Sequence, residues 1–551
     1  MSAPNSSGYP GKVDVCKTSE SEKVDTAANE DFEDDIVENH GDGVDTAYER
    51  KSHLSAPQVY PAAVSKAKLI ISLVNQCLQH EIGFGRYQWE LFILTGFGWL
   101  ADNLWLQGVA VILPQVQADL VPPRVEYITL SLYVGLIIGA TTWGSLADVI
   151  GRKISWQITL FICGTFGIAA GGAPNFVALC SLIACVGFGV GGNLPVDGAL
   201  FLEHIPQSHQ YLLTFLSAFW SIGQLIASLI VWVFIANYAA DKGWRFSLYT
   251  MGCLTFAMFF CRYIIFELQE SSKYLVSSGR DEEAIQVLQY IARRNGKKIS
   301  LTVEKLRAVP ESTTVQTRNT SVIATLKRSF SHFSLAHVRP LFSTKRLGVN
   351  SALTILIWGI IGLAYPLFNG FLPLYLADRL SSSGSLNQTY RDYTITSVCG
   401  IPGSAIACIL VDWTRTSGKI AIGGRKTALA VSTALTGMFL FLFTTARSEA
   451  SNLGYSCASS LTQNAMYGVL YAYTPEVFPA PHRGTGDALC SAFNRITGIL
   501  APVIKITTTN QDGSASSIGP NAPVFVSASL FMVSAFLTLL LPIETAGKAA
   551  L

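Results

Sequence analysis

Two charged side chains lie inside otherwise apolar stretches, where they could do chemistry. Asp102 belongs to the run FILTGFGWLADNLW, and Arg495 belongs to ALCSAFNRITGIL. A charge at the centre of a bilayer costs at least a few kcal/mol, so such residues normally face a polar interior. A guanidinium there attracts an anionic group, whereas a carboxylate accepts a proton or a donor group of a solute. We predict a mid-depth solute site containing both residues, unless they form a structural pair with each other or with neighbours.

Neutral polar side chains recur in similar runs and are predicted to line the same cavity. Amide and phenol groups suit hydrogen bonds to a neutral or weakly acidic organic solute, although each could instead pack helices together. These candidates are Asn103, Gln107, Asn193, Gln224, Tyr365, Asn369, Asn464 and Tyr467. Asp197, beside the sequence GGNLP, is predicted to belong either to this cavity or to a gate. Arg262 is also predicted to be buried, and the sequence names no partner for it.

Other kinds of chemistry find no support in the sequence. It contains no phosphate-binding G-x-x-x-x-G-K-S/T loop, no nucleophile with a base and no set of metal ligands. Its 11 cysteines are scattered without CxxC pairs, and its net charge of +2 is too small for a nucleic-acid partner. We therefore predict a monomer that is not an enzyme and holds no cofactor or metal. Its predicted partners are a small-molecule solute, protons and the lipid bilayer.

The composition indicates that much of the surface faces lipid. Half of the 551 residues are apolar, only 14% are charged, and the mean hydropathy is +0.37, whereas about a quarter of a water-soluble chain is charged. A helix needs roughly 20 apolar residues to cross a bilayer. Counting such runs predicts an all-α polytopic membrane protein with spans near 90–113, 126–148, 154–173, 176–199, 211–236, 245–267, 348–376, 391–411, 427–446, 453–474, 485–507 and 522–543.

The apolar runs form two groups of six, separated by a long polar stretch. This division predicts two helical bundles joined outside the membrane. The sequence SGRDEEAIQVLQYIARRNGKK within the polar stretch has the apolar spacing of a short amphipathic helix. The predicted segments are an acidic disordered tail (1–63), an amphipathic pre-helix (64–88), the first bundle (89–267), a central loop (268–346), the second bundle (347–545) and a C-terminal tail (546–551).

The positive charges predict how the chain is oriented. Short loops on one side of the predicted spans contain Arg152, Lys153, Arg425 and Arg483, together with the basic central loop. Cytosolic loops carry the excess of Lys and Arg, so both termini are predicted to be cytosolic. We favour the plasma membrane over an internal one. Asn387, in the sequon N-Q-T, then faces outward and is predicted to be glycosylated.

The segment GSLADVIGRK lies in the loop between the second and third predicted spans. Its glycines permit a tight turn, while Asp148 and Arg152 place opposite charges where two helix ends meet. Exposed charge pairs contribute little individually, but a network of them can bias two nearly balanced states. We predict a cytosolic gate, unless these charges only anchor the topology, made of Gly144, Asp148, Gly151, Arg152, Lys153, Glu203, Glu270, Asp412, Arg425, Glu476 and Arg483.

This segment resembles the signature of the major facilitator superfamily, and VDWTRTSGKIAIGGRK resembles a stretched second copy. Similarity to the branch of synaptic-vesicle-type, niacin and organic ion transporters is carried by EIGFGRYQWELFILTGFGWLADNLW, GFGVGGNLPVDGALFLEHIP and YTPEVFPAPHRGTGDALCSAFNRITGILAP. ELQESSKYL resembles a box of the related sugar porters. The resemblance implies a major facilitator fold of two pseudo-symmetric bundles, a clamp at Gly144 to Lys153, and contact between the arginine at position 495 and organic anions. One departure is the absence of an arginine early in the fourth span.

Together these features predict a secondary active transporter. Its solute would be a carboxylate or another small organic anion, moved by alternating access with proton coupling. Two alternatives stay open. One is a sugar or polyol porter, which Asp102 and Arg495 suit less well, and the other is a sensor that binds a solute without moving it.

The sequon makes the orientation testable. Treating membranes with a glycosidase is expected to increase the gel mobility of the wild-type chain, and Asn387→Gln is expected to abolish that shift. A glycan that persists in the variant would contradict the predicted topology.

Overall fold

The computed structural model describes residues 66–206, 209, 211–277, 279–307, 338–380, 386–412, 414–417, 420–478, 483–508 and 521–545. The predicted acidic tail (1–63) and C-terminal tail (546–551) lie outside the described residues. So do residues 308–337 of the predicted central loop.

Twelve long helical stretches dominate the described residues and are called spans 1 to 12 below. Spans 1 to 6 are Arg86–Leu120, Tyr127–Ile150, Arg152–Gly171, Phe176–Gly191 with Asn193–His204, Tyr211–Phe215 with Ser217–Asn237, and Ala240–Phe260 with Cys261–Ile265. Spans 7 to 12 are Lys345–Asn369, Leu386–Asp412, Arg425–Thr445, Glu449–Val477, Arg483–Gly498 with Leu500–Thr507, and Ala522–Leu539. The predicted all-α fold class is therefore confirmed.

Length and composition alone identify fewer membrane spans than the fold contains. Among the described residues, 8 helices are long and apolar enough by these two measures. Span 10 is not one of them, because it turns a row of polar side chains inward. That row includes Ser456, Ser459, Thr462, Gln463 and Asn464, all of them buried. Inward-facing polar groups lower the mean hydropathy of a helix without making it unsuited to a bilayer.

The helix pairing repeats between the two halves of the chain. In the first half, spans 1 and 5, spans 2 and 4, and spans 3 and 6 pack together. In the second half the pairs are 7 and 11, 8 and 10, and 9 and 12, which are the same pairs moved on by six. The halves meet through spans 2 and 11 and through spans 5 and 8. These two contacts also exchange under the same shift, as expected for duplicated halves related by a pseudo-two-fold axis.

Glycines allow spans 2 and 4 to pack with their backbones almost in contact. A Cβ atom at Gly135 would lie 2.0 Å from the carbonyl oxygen of Ala184, and one at Gly139 would lie 2.2 Å from that of Phe188. Small residues are common at helix interfaces in membranes because they let backbones approach closely. This crossing therefore depends on the absence of side chains at both positions.

Smaller elements lie outside the spans. Helices Lys66–Gln76 and Cys77–Ile82 precede span 1, and helices Ser272–Ser277, Asp281–Arg294 and Val303–Arg307 follow span 6. Helix Asp281–Arg294 has acidic residues in its first turn and basic residues in its last, which complements the helix dipole.

Between spans 8 and 9 the chain forms a hairpin instead of a simple turn. Strand β1 (Thr414–Ser417) pairs antiparallel with strand β2 (Ile420–Gly423). This hairpin contains the insertion in the stretched copy of the motif. Among the described residues it is the one departure from an all-helical chain.

Backbone contact between spans 2 and 4 predicts a sharp difference between two glycines. Gly135→Ala is expected to cost about 1–3 kcal/mol, because the added methyl group meets a backbone carbonyl that cannot move aside. Gly454→Ala is the matched control, since nothing lies within 4 Å of its Cβ position. It should leave the midpoint of thermal unfolding in detergent unchanged or raise it slightly. Equal midpoints for the two variants would contradict the close crossing.

Candidate functional site

Asp102 of span 1 is held by a tryptophan from span 5. Trp220 Nε1 donates to Oδ2 of Asp102 at 2.9 Å, and Asn103 Nδ2 donates to the carbonyl oxygen of Trp220 at 2.8 Å. Asp102 is 2% exposed. The two adjacent polar residues of span 1 thus contact the same tryptophan, which orients the carboxylate.

Arg495 of span 11 reaches across the interface between the halves. Its Nη1 donates to the carbonyl oxygen of Leu136 in span 2 at 3.1 Å, and the residue is 7% exposed. The charges of Arg495 and Asp102 interact, although no direct ion pair joins these two described residues. The two residues therefore do not pair with each other in this conformation, and each contacts a neighbour instead.

Aromatic rings from both halves pack together beside Asp102. Trp220 stacks on Tyr365 with ring centroids 5.5 Å apart, and Tyr467 meets the edges of both at 5.1 Å. Tyr471 packs against Trp99 at 4.9 Å and against a further tryptophan of span 7. We call Trp99, Trp220, Tyr365, Tyr467 and Tyr471 the aromatic cluster. It offers ring faces and edges for a flat solute.

Gln107 links the halves beside this cluster. Its Nε2 donates to the hydroxyl of Tyr365 at 3.1 Å, and Tyr393 of span 8 donates its hydroxyl to Oε1 of Gln107. All three side chains are buried. One amide in the first half therefore contacts two phenols in the second, and any separation of the halves must break or exchange these bonds.

Two of the predicted asparagines lie in the second half. Asn464 Oδ1 accepts from Ser221 at 2.7 Å, which joins span 10 to span 5. Asn369 Nδ2 donates to Gln463 Oε1 at 2.5 Å within the second half. Gln224 is buried on span 5, one turn from Trp220. These residues add further buried polar side chains to the site.

Two predicted residues do not join this group. Asp197 lies inside the first bundle, where it pairs with Arg262, the residue for which the sequence named no partner. Asn193 lies one turn earlier on the same helix, fully buried, and neither atom of its amide has a hydrogen-bonding partner. This second polar group is separate from the aromatic cluster.

Sequence reasoning missed most of the aromatic cluster. Trp99, Trp220 and Tyr471 read as ordinary apolar residues in long apolar runs. A weak signal was available, because Tyr471 follows Tyr467 by four residues and Trp220 precedes Gln224 by four. Such pairs lie on one face of a helix.

The predicted gate in the first half is organised by two glutamates. Arg152 at the start of span 3 forms an ion pair with Glu203 at the end of span 4. Glu270, after span 6, accepts from the backbone nitrogens of Arg152 at 3.1 Å and Lys153 at 3.3 Å. Gly151 has φ of 96°, which L-residues rarely adopt. A carboxylate at a helix N-terminus satisfies otherwise unpaired donors.

The second half repeats this arrangement. Arg425 at the start of span 9 pairs with Glu476 near the end of span 10 at 2.6 Å. Glu544, after span 12, accepts from the backbone nitrogens of Arg425 at 3.0 Å and Lys426 at 3.1 Å. Glu544 was missed, although its place after the last span matches that of Glu270 after span 6. The burial and contacts of Gly144, Asp148, Asp412 and Arg483 lie outside the part of the chain that the structure describes.

Two bundles of six spans that enclose a buried charged site, with a matching charge cluster at one end of each, define a polytopic solute transporter. The pattern of the Major Facilitator Superfamily matches residues 91–502. The chain belongs to this superfamily, as the motif at Gly144 to Lys153 predicted, and is a multi-pass integral membrane protein.

Relatives and a solved structure agree with this assignment. The chain is 44% identical to the "MFS siderochrome iron transporter 1" of Ceriporiopsis subvermispora over 89% of this chain and 93% of that protein. It is 29% identical to the niacin transporter NiaP of Acinetobacter baylyi over 77% and 88%, which confirms the predicted branch. The proton:xylose symporter XylE, at 15% identity, has the same fold with a TM-score of 0.63, over 84% of this chain and 98% of XylE.

The ion pair of the first gate predicts a charge-swap effect. Arg152→Glu should lower solute uptake into proteoliposomes at least fivefold, because it places two acidic groups together at the ends of spans 3 and 4. Adding Glu203→Arg should restore part of that loss.

Arg280→Glu is the control, since Arg280 forms an exposed pair with Glu283 and should change uptake little. A double variant at Arg152 and Glu203 that is as inactive as the single one would contradict a gating pair.

Proposed function

We propose that this chain is a proton-coupled transporter of small aromatic carboxylates. The observation that carries the proposal is the placement of Arg495, Asp102 and the aromatic cluster around one buried site to which both halves contribute. The chain operates by alternating access, with both termini in the cytosol and the plasma membrane as its location.

Arg495 supports an anionic solute. A guanidinium carries several N–H donors in a planar fork that matches a carboxylate. In the described structure its hydrogen bond to Leu136 accounts for one of them. A carboxylate at this position would bind one half through Arg495 while the rest of the solute contacts the other half, so binding favours a conformation in which the halves are close together.

The aromatic cluster supports a ring-shaped solute. Tyr and Trp rings prefer offset-stacked or edge-to-face contacts, each contributing about 0.5–1.5 kcal/mol beyond burial. Both geometries already occur between Trp220, Tyr365 and Tyr467, and a planar ring could replace one of these contacts. The relative NiaP is named as a niacin transporter, which agrees with a solute of this kind.

Asp102 supports proton coupling. A carboxylate 2% exposed at mid-depth is costly when ionised and becomes less so when it takes up a proton. The Trp220 indole holds it in place. Protonation removes a negative charge near Arg495 that would repel an anionic solute, which couples the two binding events.

Serines at the interface support movement of the halves. Ser221 and Ser228 of span 5 lie 3.4 and 2.9 Å from Ser404 and Ser397 of span 8. A hydroxyl can donate or accept and so can change partners without leaving a charge exposed. Rocking about spans 5 and 8 and their counterparts, spans 2 and 11, follows from the pseudo-two-fold arrangement.

Other cargoes are separable by experiment. The likeness to XylE concerns the fold alone, and the relative named for siderochrome iron suggests an iron chelate as a second candidate. Proteoliposomes offered labelled nicotinate, xylose or a ferric siderophore should accumulate nicotinate when the outside is acidic. Siderophore uptake without nicotinate uptake would overturn the proposal, and binding without flux would identify a sensor.

Two substitutions test the assigned roles. Arg495→Ala should raise the KM for nicotinate about tenfold or more, because a charged hydrogen bond is worth roughly 1.5–3 kcal/mol, and Arg495→Lys should recover part of the affinity. Asp102→Asn should remove the stimulation of uptake by an acidic outside. Asp119→Asn is the matched control, because Asp119 lies on the same span and also accepts from a tryptophan, Trp244, at 2.9 Å. Unchanged kinetics in both test variants would contradict the site.

A further inference from the structure

A buried ion pair inside the first bundle has no place in the solute site described above. Arg262 Nη2 donates to Oδ2 of Asp197 at 2.9 Å, and both side chains are 0% exposed. Arg262 also donates to the carbonyl oxygens of Leu94 and Trp156, each at 3.0 Å, and lies over the Trp156 ring at 4.2 Å. The guanidinium therefore fixes the carboxylate between spans 1, 3, 4 and 6.

Asp197 lies against the backbone of span 1, close to Asp102. A Cβ at Gly98 would be 1.5 Å from Oδ2 of Asp197, so only glycine allows this approach. Gly98 precedes Asp102 by four residues and thus lies on the same face, one turn nearer the beginning of span 1. The charges of Asp102 and Asp197 interact. The carboxylates of Asp197 and Asp102 therefore lie beside successive turns of span 1.

The second oxygen of Asp197 is available to a proton. Oδ1 is buried and takes no part in the ion pair with Arg262, and the indole of Trp156 is a donor that faces this carboxylate. A carboxylate oxygen has more than one acceptor position, so an indole donor leaves it able to bind a proton. Arg262 occupies Oδ2 alone and leaves Oδ1 for proton transfer.

A base lies further along the same helix. His204 follows Asp197 by seven residues, which is two turns and the same face. Its Nδ1 lies 2.9 Å from the carbonyl oxygen of Leu200, which can only accept, so in the neutral ring we assign the proton to Nδ1 and leave Nε2 as the basic nitrogen. Nε2 is buried, and the backbone of Glu270 lies within hydrogen-bonding reach of the ring.

We propose that Asp197 and His204 carry the coupling proton from Asp102 through the first bundle toward the cytosolic end. The proton leaves the Asp102 carboxylic acid for Oδ1 of Asp197, then binds Nε2 of His204 as an imidazolium N–H, and finally passes to cytosolic water. Only O–H and N–H bonds change. The rise along seven helical residues is about 10 Å, so the second step needs a bridging water or a movement of span 4. Arg262 is a positioning residue in this path.

Asp197 and His204 have different charged groups around them. Asp197 faces Arg262 from span 6, Trp156 from span 3 and the charge of Asp102 from span 1. His204 faces the ring of Tyr87 at 5.9 Å, the charges of Lys273 and Arg152, and the backbone of Glu270. The path therefore ends beside the charge cluster of the first gate, where opening would admit water.

The first experiment rests on the proposed function and compares two transport modes in proteoliposomes with labelled nicotinate. In Asp197→Asn and His204→Gln, accumulation driven by an acidic outside should fall at least tenfold, while nicotinate exchange at equal pH should fall less than threefold. Asp119→Asn should retain both activities. A merely structural ion pair would lower both modes equally, and that result would overturn the proposal.

The second experiment needs no solute. Infrared difference spectra of the purified protein after a pH step should contain a protonated-carboxyl band that Asp197→Asn removes, and an imidazole band that His204→Gln removes. If wild-type protein shows both bands but no nicotinate transport, the proposed function fails and the proton path stands. If both bands persist in the variants, or neither occurs in the wild type, the proton path fails whatever the solute.

Discussion

The whole arrangement depends on one constraint, which is the cost of placing a charge where neither water nor lipid headgroups can solvate it. Asp102, Asp197, Arg262 and Arg495 are each at most 7% exposed. Each has a polar contact, whether an indole, an opposite charge or a backbone carbonyl from another span. Helices in this protein are therefore positioned by what their few charges require as well as by apolar packing, and the bundle interior contains a small number of fixed polar stations.

That constraint also decides how far the sequence could predict the site. Asp102 and Arg495 stand out because a charge in an apolar run has few explanations. Trp220 and Tyr471 could not be singled out, because an aromatic residue in such a run suits lipid, core packing and solute binding equally well. The pairing of Arg262 with Asp197 joins residues 65 positions apart, and only the packing of spans 4 and 6 against spans 1 and 3 brings them together. The fold was easier to predict, since twelve apolar runs and one loop motif describe it.

The two halves of the chain also differ in how well the sequence predicted the glutamate of each gate. The glutamate after span 6, Glu270, was predicted as one of the opposite charges at helix ends, whereas Glu544 lies in a short sequence that resembles it only in position. Both cap the first backbone nitrogens of the helix that begins at a left-handed glycine, Gly151 in one half and Gly424 in the other. The two halves thus share the same capping geometry, although most of the surrounding sequence differs. A residue-by-residue reading cannot see such an equivalence until the helices are paired.

The helix Asp281–Arg294 is fastened to the first turn of span 1. Asn295, just after it, accepts from the backbone nitrogen of Tyr87 at 3.0 Å and donates to Gln88 at 2.8 Å, and Arg294 pairs with Glu90 at 3.0 Å. Any tilt of span 1 therefore moves this helix with it. A contact that held the helix in place would thus oppose the same tilt without touching the solute site.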